Sequence, residues 1–327
     1  MNNEVNKKII NVINNASREK VNIVSMYIIL AIFLTFSVLF GVLLDSVLGT
    51  RGLFTILFVI FSTLQTIFGL SIVGRVIINL LEAKPFSSFR SDNLKKNLKK
   101  VEELFENVKM NCNFEDDIEL FVIDSPSINA ISIGRLKHDH KIFLTTGALE
   151  KLESEELKAL FYHELFHIVN KDTDYLTTVS GTFGSPMLIF TISNRNLKRL
   201  LKNKNKLQSS DFYRDFMLFS LMTIVSSIFL PISLLTNVFV SVKKEFDADL
   251  FALQKTDLSN MGSLFEKVKG SCKSFDTNYY FMRHLFFSHP NCKDISKKPN
   301  RIIETYPSID ERIEFLKNMD PKEGVNN

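Results

Sequence analysis

Two long apolar runs stand at the head of the chain. From Val21 to Leu44 there are 24 residues without a charge, and from Gly52 to Gly74 another 23, after which the run continues through Val76 to Leu81. Each exceeds the ~20 residues a helix needs to cross a hydrocarbon core. The pattern predicts two transmembrane helices joined by a turn around Asp45–Gly52. Between Asp92 and Met110, Leu94, Leu98, Val101, Phe105 and Val108 recur at helical spacing, which predicts an amphipathic helix with a lysine-rich outer face. Three short β-type runs follow, Ile118–Ile123, Asn129–Ile133 and Lys141–Thr145, separated by Asp124-Ser125-Pro126 and by Gly134–His140. Ser154, with Glu155 and Glu156 after it, reads as the N-cap of a helix running past Ile168.

Two further apolar stretches come later. Tyr175–Asn194 is uncharged for 20 residues but rich in Thr, Ser and Gly, so it is a weak span; Phe216–Val242 is uncharged for 27, with Pro231 as a kink. The pattern divides the chain into an N-terminal segment (1–22), two membrane helices (23–81), a core with a small sheet and a helix (82–177), an apolar hairpin (178–242) and a C-terminal part completing the core (243–327). The fold class expected is α+β, mostly helical.

Composition sharpens this picture. The 327 residues include 30 Phe and no Trp, and the net charge of +4 gives no argument for nucleic acid. Cys112, Cys272 and Cys292 are an odd number without C-x-x-C spacing, which fits a reducing compartment and offers no disulfide framework. Basic residues are placed as membrane topology requires. Lys7, Lys8, Arg18 and Lys20 precede the first run, and Lys84, Arg90, Lys95, Lys96, Lys99 and Lys100 follow the second. The positive-inside rule therefore puts the N-terminus and the core in the cytoplasm of a multi-pass cell-membrane protein. No small-x-small site follows the first run and its polar lead-in is long, so a cleaved signal peptide is not expected. The segment between the later apolar stretches holds seven basic residues, among them Arg195, Lys198, Arg199 and Lys204. If both stretches crossed, that basic loop would lie outside, against the same rule. If the residues after Val242 complete the core, the pair must return to the side it left. Either both cross or neither does, and a hairpin that keeps the loop inside is expected.

The chemistry sits in the helix after Ser154. His163-Glu164-Leu165-Phe166-His167 places two imidazoles one turn apart on one face. That geometry suits two ligands of a tetrahedral zinc at about 2.0–2.1 Å each, with Glu164 behind a water in the remaining position. A catalytic zinc usually takes a third protein ligand. His138, His140, His284 and His289 lie in turns or irregular regions. The better candidate is Glu245, spaced i, i+4 with Asp249 so that both carboxylates share a helix face. One can bind metal while the other accepts the N–H of a ligating histidine. Asp172, Asp174 and Asp247 are the carboxylates to turn to should Glu245 fail.

H-E-L-F-H-I-V-N-K-D, an apolar hairpin, and then E-F-D-A-D-L-F-A resembles the HtpX-type membrane zinc metalloproteases, relatives of the CAAX prenyl endopeptidases. The resemblance implies a zincin-like core holding one Zn²⁺ per chain. His163, His167 and Glu245 would be its ligands, Glu164 the catalytic carboxylate, and Asp249 the acceptor behind a ligand. It also implies that Ile128–Ser132 is an edge strand holding substrate through free backbone groups, with Ile131 in place of the family's aromatic. In the tail the family's His-Pro-x4-Arg becomes Tyr306-Pro307-x4-Arg312. A tyrosine hydroxyl can still donate to a developing oxyanion, so Tyr306 and Arg312 are candidate helpers at the scissile carbonyl.

The function expected is hydrolysis of peptide bonds in membrane or misfolded proteins at the cytoplasmic face, with the bilayer and a protein or peptide substrate as partners. A narrow processing protease for lipidated or pheromone-like peptides is one alternative, and an inactive membrane adaptor with a structural zinc is another. An intact Glu164 argues against the adaptor. A transporter would need polar residues within the first two spans, which have few. Nothing in the sequence fixes the oligomeric state.

Overall fold

Strand periodicity decides the architecture. The computed structural model describes residues 15–89, 92–134, 139–202, 210–233, 241–271, 273, 282–290 and 307–319. Strands β1 (Lys84–Pro85), β2 (Ile118–Ile123), β3 (Ala130–Ile133) and β4 (His140–Thr145) form a mixed sheet of order β1-β2-β4-β3, with β2 and β4 parallel and the other pairs antiparallel. Side chains alternate between two cores. Leu120, Val122, Ala130, Ile142 and Leu144 face one, while Phe121, Ile123, Ile131, Ile133 and Phe143 face the other. With both faces buried, the sheet must be covered on both.

The first face is covered by helices of the core. Helices α1 (Asn15–Leu48) and α2 (Leu53–Leu80) precede β1, and α3 (Asp92–Asn111) follows it. Helix α3 lays Leu98, Val101, Phe105 and Val108 against α5 (Ser154–Val169), which follows the short α4 (Thr146–Lys151). Every residue of α5 from Ala159 to Ile168 is buried. Its start differs by one position from expectation: Glu153 is the N-cap, and its N–H donates to the Glu156 carboxylate at 2.8 Å. Glu156 is fixed there by Lys267 and Ser263 of α10 (Leu258–Gly270), and so acts as the closing residue of the cap.

The second face is covered by the apolar helices themselves. Ile29 and Phe33 of α1 and Val73 and Ile77 of α2 join the core with Tyr175 and Val179 of α6 (Asp172–Val179). Helix α1 has 34 residues, about 50 Å at 1.5 Å per residue, well beyond a ~30 Å hydrocarbon core. It is the one described helix long and apolar enough by itself to cross a membrane; α2 qualifies only if its two parts, bent by 57° between Ile67 and Leu70, count as one span. At the turn Asp45 caps α2, accepting from the Phe54 and Thr55 N–H groups at 3.0 and 2.9 Å, while Gly52 supplies the left-handed φ of 89°.

The stretch read as a weak span begins inside the protein. From Tyr175 to Gly184 every residue is buried, and Ser180–Gly184 form a π-helical turn between α6 and α7 (Ser185–Lys202). Phe183 meets Phe33 edge-on at 5.5 Å, and Gln65 donates to the Ser185 hydroxyl at 2.7 Å. Helix α7 then packs against α8 (Ser210–Ser233). The last helices are α9 (Val242–Lys255), α10 and α11 (Ile309–Met319).

The loop leading to β3 rests on Gly147, whose N–H donates to the Ser125 carbonyl at 2.8 Å. A Cβ there would run into the Pro126 carbonyl and lie 2.5 Å from the Ser127 oxygen. Gly147→Ala is therefore expected to destabilise the protein by about 1–3 kcal/mol, read from urea unfolding of the detergent-solubilised chain.

Candidate metal centre

Three elements bring the site together. Helix α5 presents His163 and His167, α9 presents Glu245, and the turn after α5 presents Asp172. The ring nitrogens His163 Nε2 and His167 Nε2 lie 3.2 Å apart, and Glu245 oxygens lie 3.5 and 3.6 Å from them. Two atoms bound at 2.0–2.1 Å to a tetrahedral zinc lie about 3.4 Å apart, so the triangle has the size that zinc requires. Among the described residues these form the one group of three His, Cys, Asp or Glu side chains close enough to share an ion.

The opposite ring edges explain why a cation belongs there. His163 Nδ1 donates to Asp249 at 2.9 Å, and His167 Nδ1 to Asp172 at 3.2 Å. With both Nδ1 atoms protonated, each Nε2 turns a lone pair toward the other and toward a carboxylate. Three electron-pair donors then face one another in a buried space, an arrangement that is stable only around a positive charge. Without metal a proton serves. Burial would lower the His163 pKa, but the hydrogen bonds to Asp249 and Glu245 outweigh it and push the ring up to about 9. Burial would likewise raise Glu245, yet the two histidines hold it below the usual carboxylate range.

Glu164 is almost fully buried at the same cavity. Burial pushes its pKa up against the pull of the two histidines and a hydrogen bond from Ser132. The cavity is lined on its other sides by Ser132, Leu176, His284 and Phe286. His284 is no ligand: its Nε2 meets the Ser180 hydroxyl at 2.9 Å, and burial pushes its pKa down to about 4. His140 opens β4 and is buried, rather than lying in a polar turn.

Asp249 faces the Nδ1 edge of His163 at 2.9 Å. Arg312 is fully buried, with Nε 2.7 Å and Nη2 2.5 Å from the Asp249 carboxylate, and its guanidinium stacks on Phe287 at 4.4 Å. It meets His163 at the Nδ1 edge, away from the metal triangle and the cavity, so it cannot reach a scissile carbonyl. Tyr306 and His138 lie outside the described residues.

The edge strand also differs from expectation. Phe287 N–H donates to the Ala130 carbonyl at 2.8 Å, and the Asn129 side chain both donates to and accepts from the Ser288 backbone, at 2.9 and 3.1 Å. The Ala130 end of β3 is thus paired with the chain's own tail, and only its Ser132 end lines the cavity.

Sequence reasoning kept Asp172 only as a fallback ligand. In an uninterrupted helix residues five apart point about 140° away from each other. Lys171, at φ 58°, breaks the helix and turns Asp172 back onto His167. The H-x4-D spacing across a helix end was the available signal.

Fold and site together present a buried, helix-borne His–His–Glu cluster that could hold a metal ion. More narrowly, the chain belongs to peptidase family M48, whose sequence pattern matches residues 95–320. The protease HtpX homologue of Tropheryma whipplei (strain Twist) is 29% identical over 203 residues, 62% of this chain and 66% of that protein. Protease HtpX of Buchnera aphidicola subsp. Schizaphis graminum is 26% identical over 204 residues, 61% of this chain and 66% of that protein. The chain thus spans about two thirds of the length of these relatives. A crystal structure of S. mikatae Ste24p superposes with a TM-score of 0.40 at 17% identity, covering 89% of this chain and 63% of that one, too low a likeness to bear on the fold.

The electrostatics make metal uptake pH-dependent. His163 has a folded pKa above its ordinary 6.5, so the cationic ring stabilises the metal-free fold fully below pH 6.5 and stops doing so as pH rises through about 9. Zinc must displace that proton. Uptake at pH 7.5 is expected to release about one proton, measurable by calorimetry in two buffers of different ionisation heat. His163→Ala and Glu245→Ala should both weaken zinc binding, and full zinc retention by Glu245→Ala would remove it from the ligand set.

Proposed function

We propose that this chain is a membrane-embedded zinc endopeptidase with one Zn²⁺ held by His163, His167 and Glu245. The observation that carries the reading is the buried triangle of electron-pair donors, with Glu164 beside it on the cavity wall. Zinc bound there would polarise the scissile carbonyl and acidify the attacking water. Glu164 accepts a proton from that water and hands it to the amine nitrogen as the C–O bond forms and the C–N bond breaks. Ser132 steadies the Glu164 carboxylate. Asp249 and Asp172 fix the histidine tautomers, and Arg312 acts as a positioning residue for Asp249. A buried carboxylate kept unstable by its surroundings has no use in a purely structural site, which favours the enzyme over the adaptor.

The substrates fit an extended peptide, in membrane or misfolded proteins, entering along the Ser132 end of β3. The lysines flanking the first two apolar helices support a cytoplasmic site. The hairpin α7–α8 fits the reading in which its basic tip stays on that same side. The uncharged part of α7 is only Ser185–Asn194, and Arg195, Lys198, Arg199 and Lys202 fill its last two turns.

Zinc analysis with casein cleavage, with and without chelator, tests the activity. Glu164→Gln should abolish cleavage with zinc still bound. Because the Glu164 pKa lies above its ordinary 4.5, its ionised form destabilises the metal-free fold at neutral pH, and that cost vanishes as pH falls below 4.5. Glu164→Gln should therefore unfold at a higher temperature than wild type at pH 7–8, with no gain near pH 4. Loss of zinc from this variant would make Glu164 a ligand instead.

Topology is read with single cysteines at Asn196 and Lys204 in a chain whose Cys112, Cys272 and Cys292 are replaced by serine. No labelling by an impermeant thiol reagent in whole cells is expected, and labelling without lysis would establish four spans.

A further inference from the structure

The first apolar helix carries one polar side chain that reaches the metal centre. Asn22 lies on α1 and is only 6% exposed. Its Nδ2 donates to the Asn170 carbonyl at 2.7 Å and to Asp172 Oδ1 at 2.9 Å, and its Oδ1 accepts from Lys244 Nζ at 2.8 Å. Lys244 in turn pairs with the same Asp172 oxygen at 2.7 Å and sits over the Tyr175 ring at 4.2 Å. The other Asp172 oxygen faces His167.

We propose that Asn22 is a positioning residue for the metal ligand His167, coupling the seat of the first membrane helix to zinc affinity through Asp172. The inference rests on the zinc reading above. One side chain does two things at once. Its bond to Asn170 clamps the turn in which Lys171 takes its left-handed φ, and that turn is what brings Asp172 back over His167. Its bond to Asp172 holds the carboxylate by the oxygen that the histidine does not use. Without Asn22, Lys244 alone would hold that oxygen, and Lys244 is partly open to solvent, so the carboxylate would be drawn outward from His167. An amide in an apolar helix is costly unless satisfied, and here both its donor and acceptor ends are used.

The test uses the full chain in nanodiscs of one lipid composition. Zinc affinity is measured by competition with a fluorescent chelator, alongside the unfolding temperature of the metal-free protein. Asn22→Leu should lose about tenfold in zinc affinity, the lower end of what losing a partner behind a ligand costs. Asp172→Asn should lose at least as much, and the double variant should be no worse than Asp172→Asn alone, because both act on one hydrogen bond. Ser37→Ala serves as a control on the same helix, since the Ser37 hydroxyl bonds its own helix at the Phe33 carbonyl; its zinc affinity should equal wild type. If Asn22→Leu lowers only the metal-free unfolding temperature, or if the two losses multiply, Asn22 merely seats the helix and the proposal falls. Should Asn22→Leu not accumulate, Asn22→Ala removes the same two donations: a loss non-additive with Asp172→Asn supports the proposal, and wild-type affinity overturns it. A wild type that takes up no zinc sinks the metal reading itself, and this inference with it.

Discussion

Two imidazoles, each tied by its Nδ1 to a buried carboxylate, are forced to confront one another with their lone pairs, and a third carboxylate closes the triangle. Hydrogen bonding at the rear of the rings creates the demand for a cation at the front. Most of the surrounding structure supports those rear bonds. Arg312 and the stacked Phe287 hold Asp249, while the broken helix after Val169, with Lys244 and Asn22, holds Asp172.

The sheet extends the same dependence outward. Its two faces feed different cores, one among helices α3, α5 and α10 and one with the apolar N-terminal helices. Tyr175 and Leu176 of α6, which follow Asp172 directly, belong to the second core. The position of Asp172 is thus set by packing against α1 and α2 as much as by α5 itself.

What the sequence showed and what it hid divide along physical lines. The two histidines and Glu164 were legible because one helical turn fixes their relation, and Glu245 with Asp249 for the same reason. The three strands were legible from alternation and turn residues, to within a residue. Asp172 as a partner of His167 was hidden because a left-handed residue separates them, and a 3.6-residue period says nothing across such a break. Asn22 was hidden because it lies 150 residues from its partner in an otherwise apolar run. The pairing of Phe287 with Ala130 has no periodic signature at all, being part of a single isolated bridge. Arg312 was found but given the wrong neighbour, since spacing reports that a side chain is present and not which ring edge it meets. The Thr- and Ser-rich stretch after Tyr175 reads as a weak membrane span, and its first half, to Gly184, is protein interior. Thr178, Ser180 and Thr182 return their hydroxyls to carbonyls one turn back, so their polarity is hidden within the helix.

Engineers commonly trim such a chain to the portion that dissolves, cutting after the last apolar residue of an anchor. Here that incision, between Leu81 and Lys84, would take Ile29, Phe33, Val73 and Ile77 from one face of the sheet and remove the amide bonded to the turn beneath His167. The excised piece would keep the complete H-E-x-x-H sequence and Glu245 while losing the scaffold that makes them a preorganised cage. The apolar helices and the sheet share a single foundation, and the part that carries the His–His–Glu cluster has no natural border on that side.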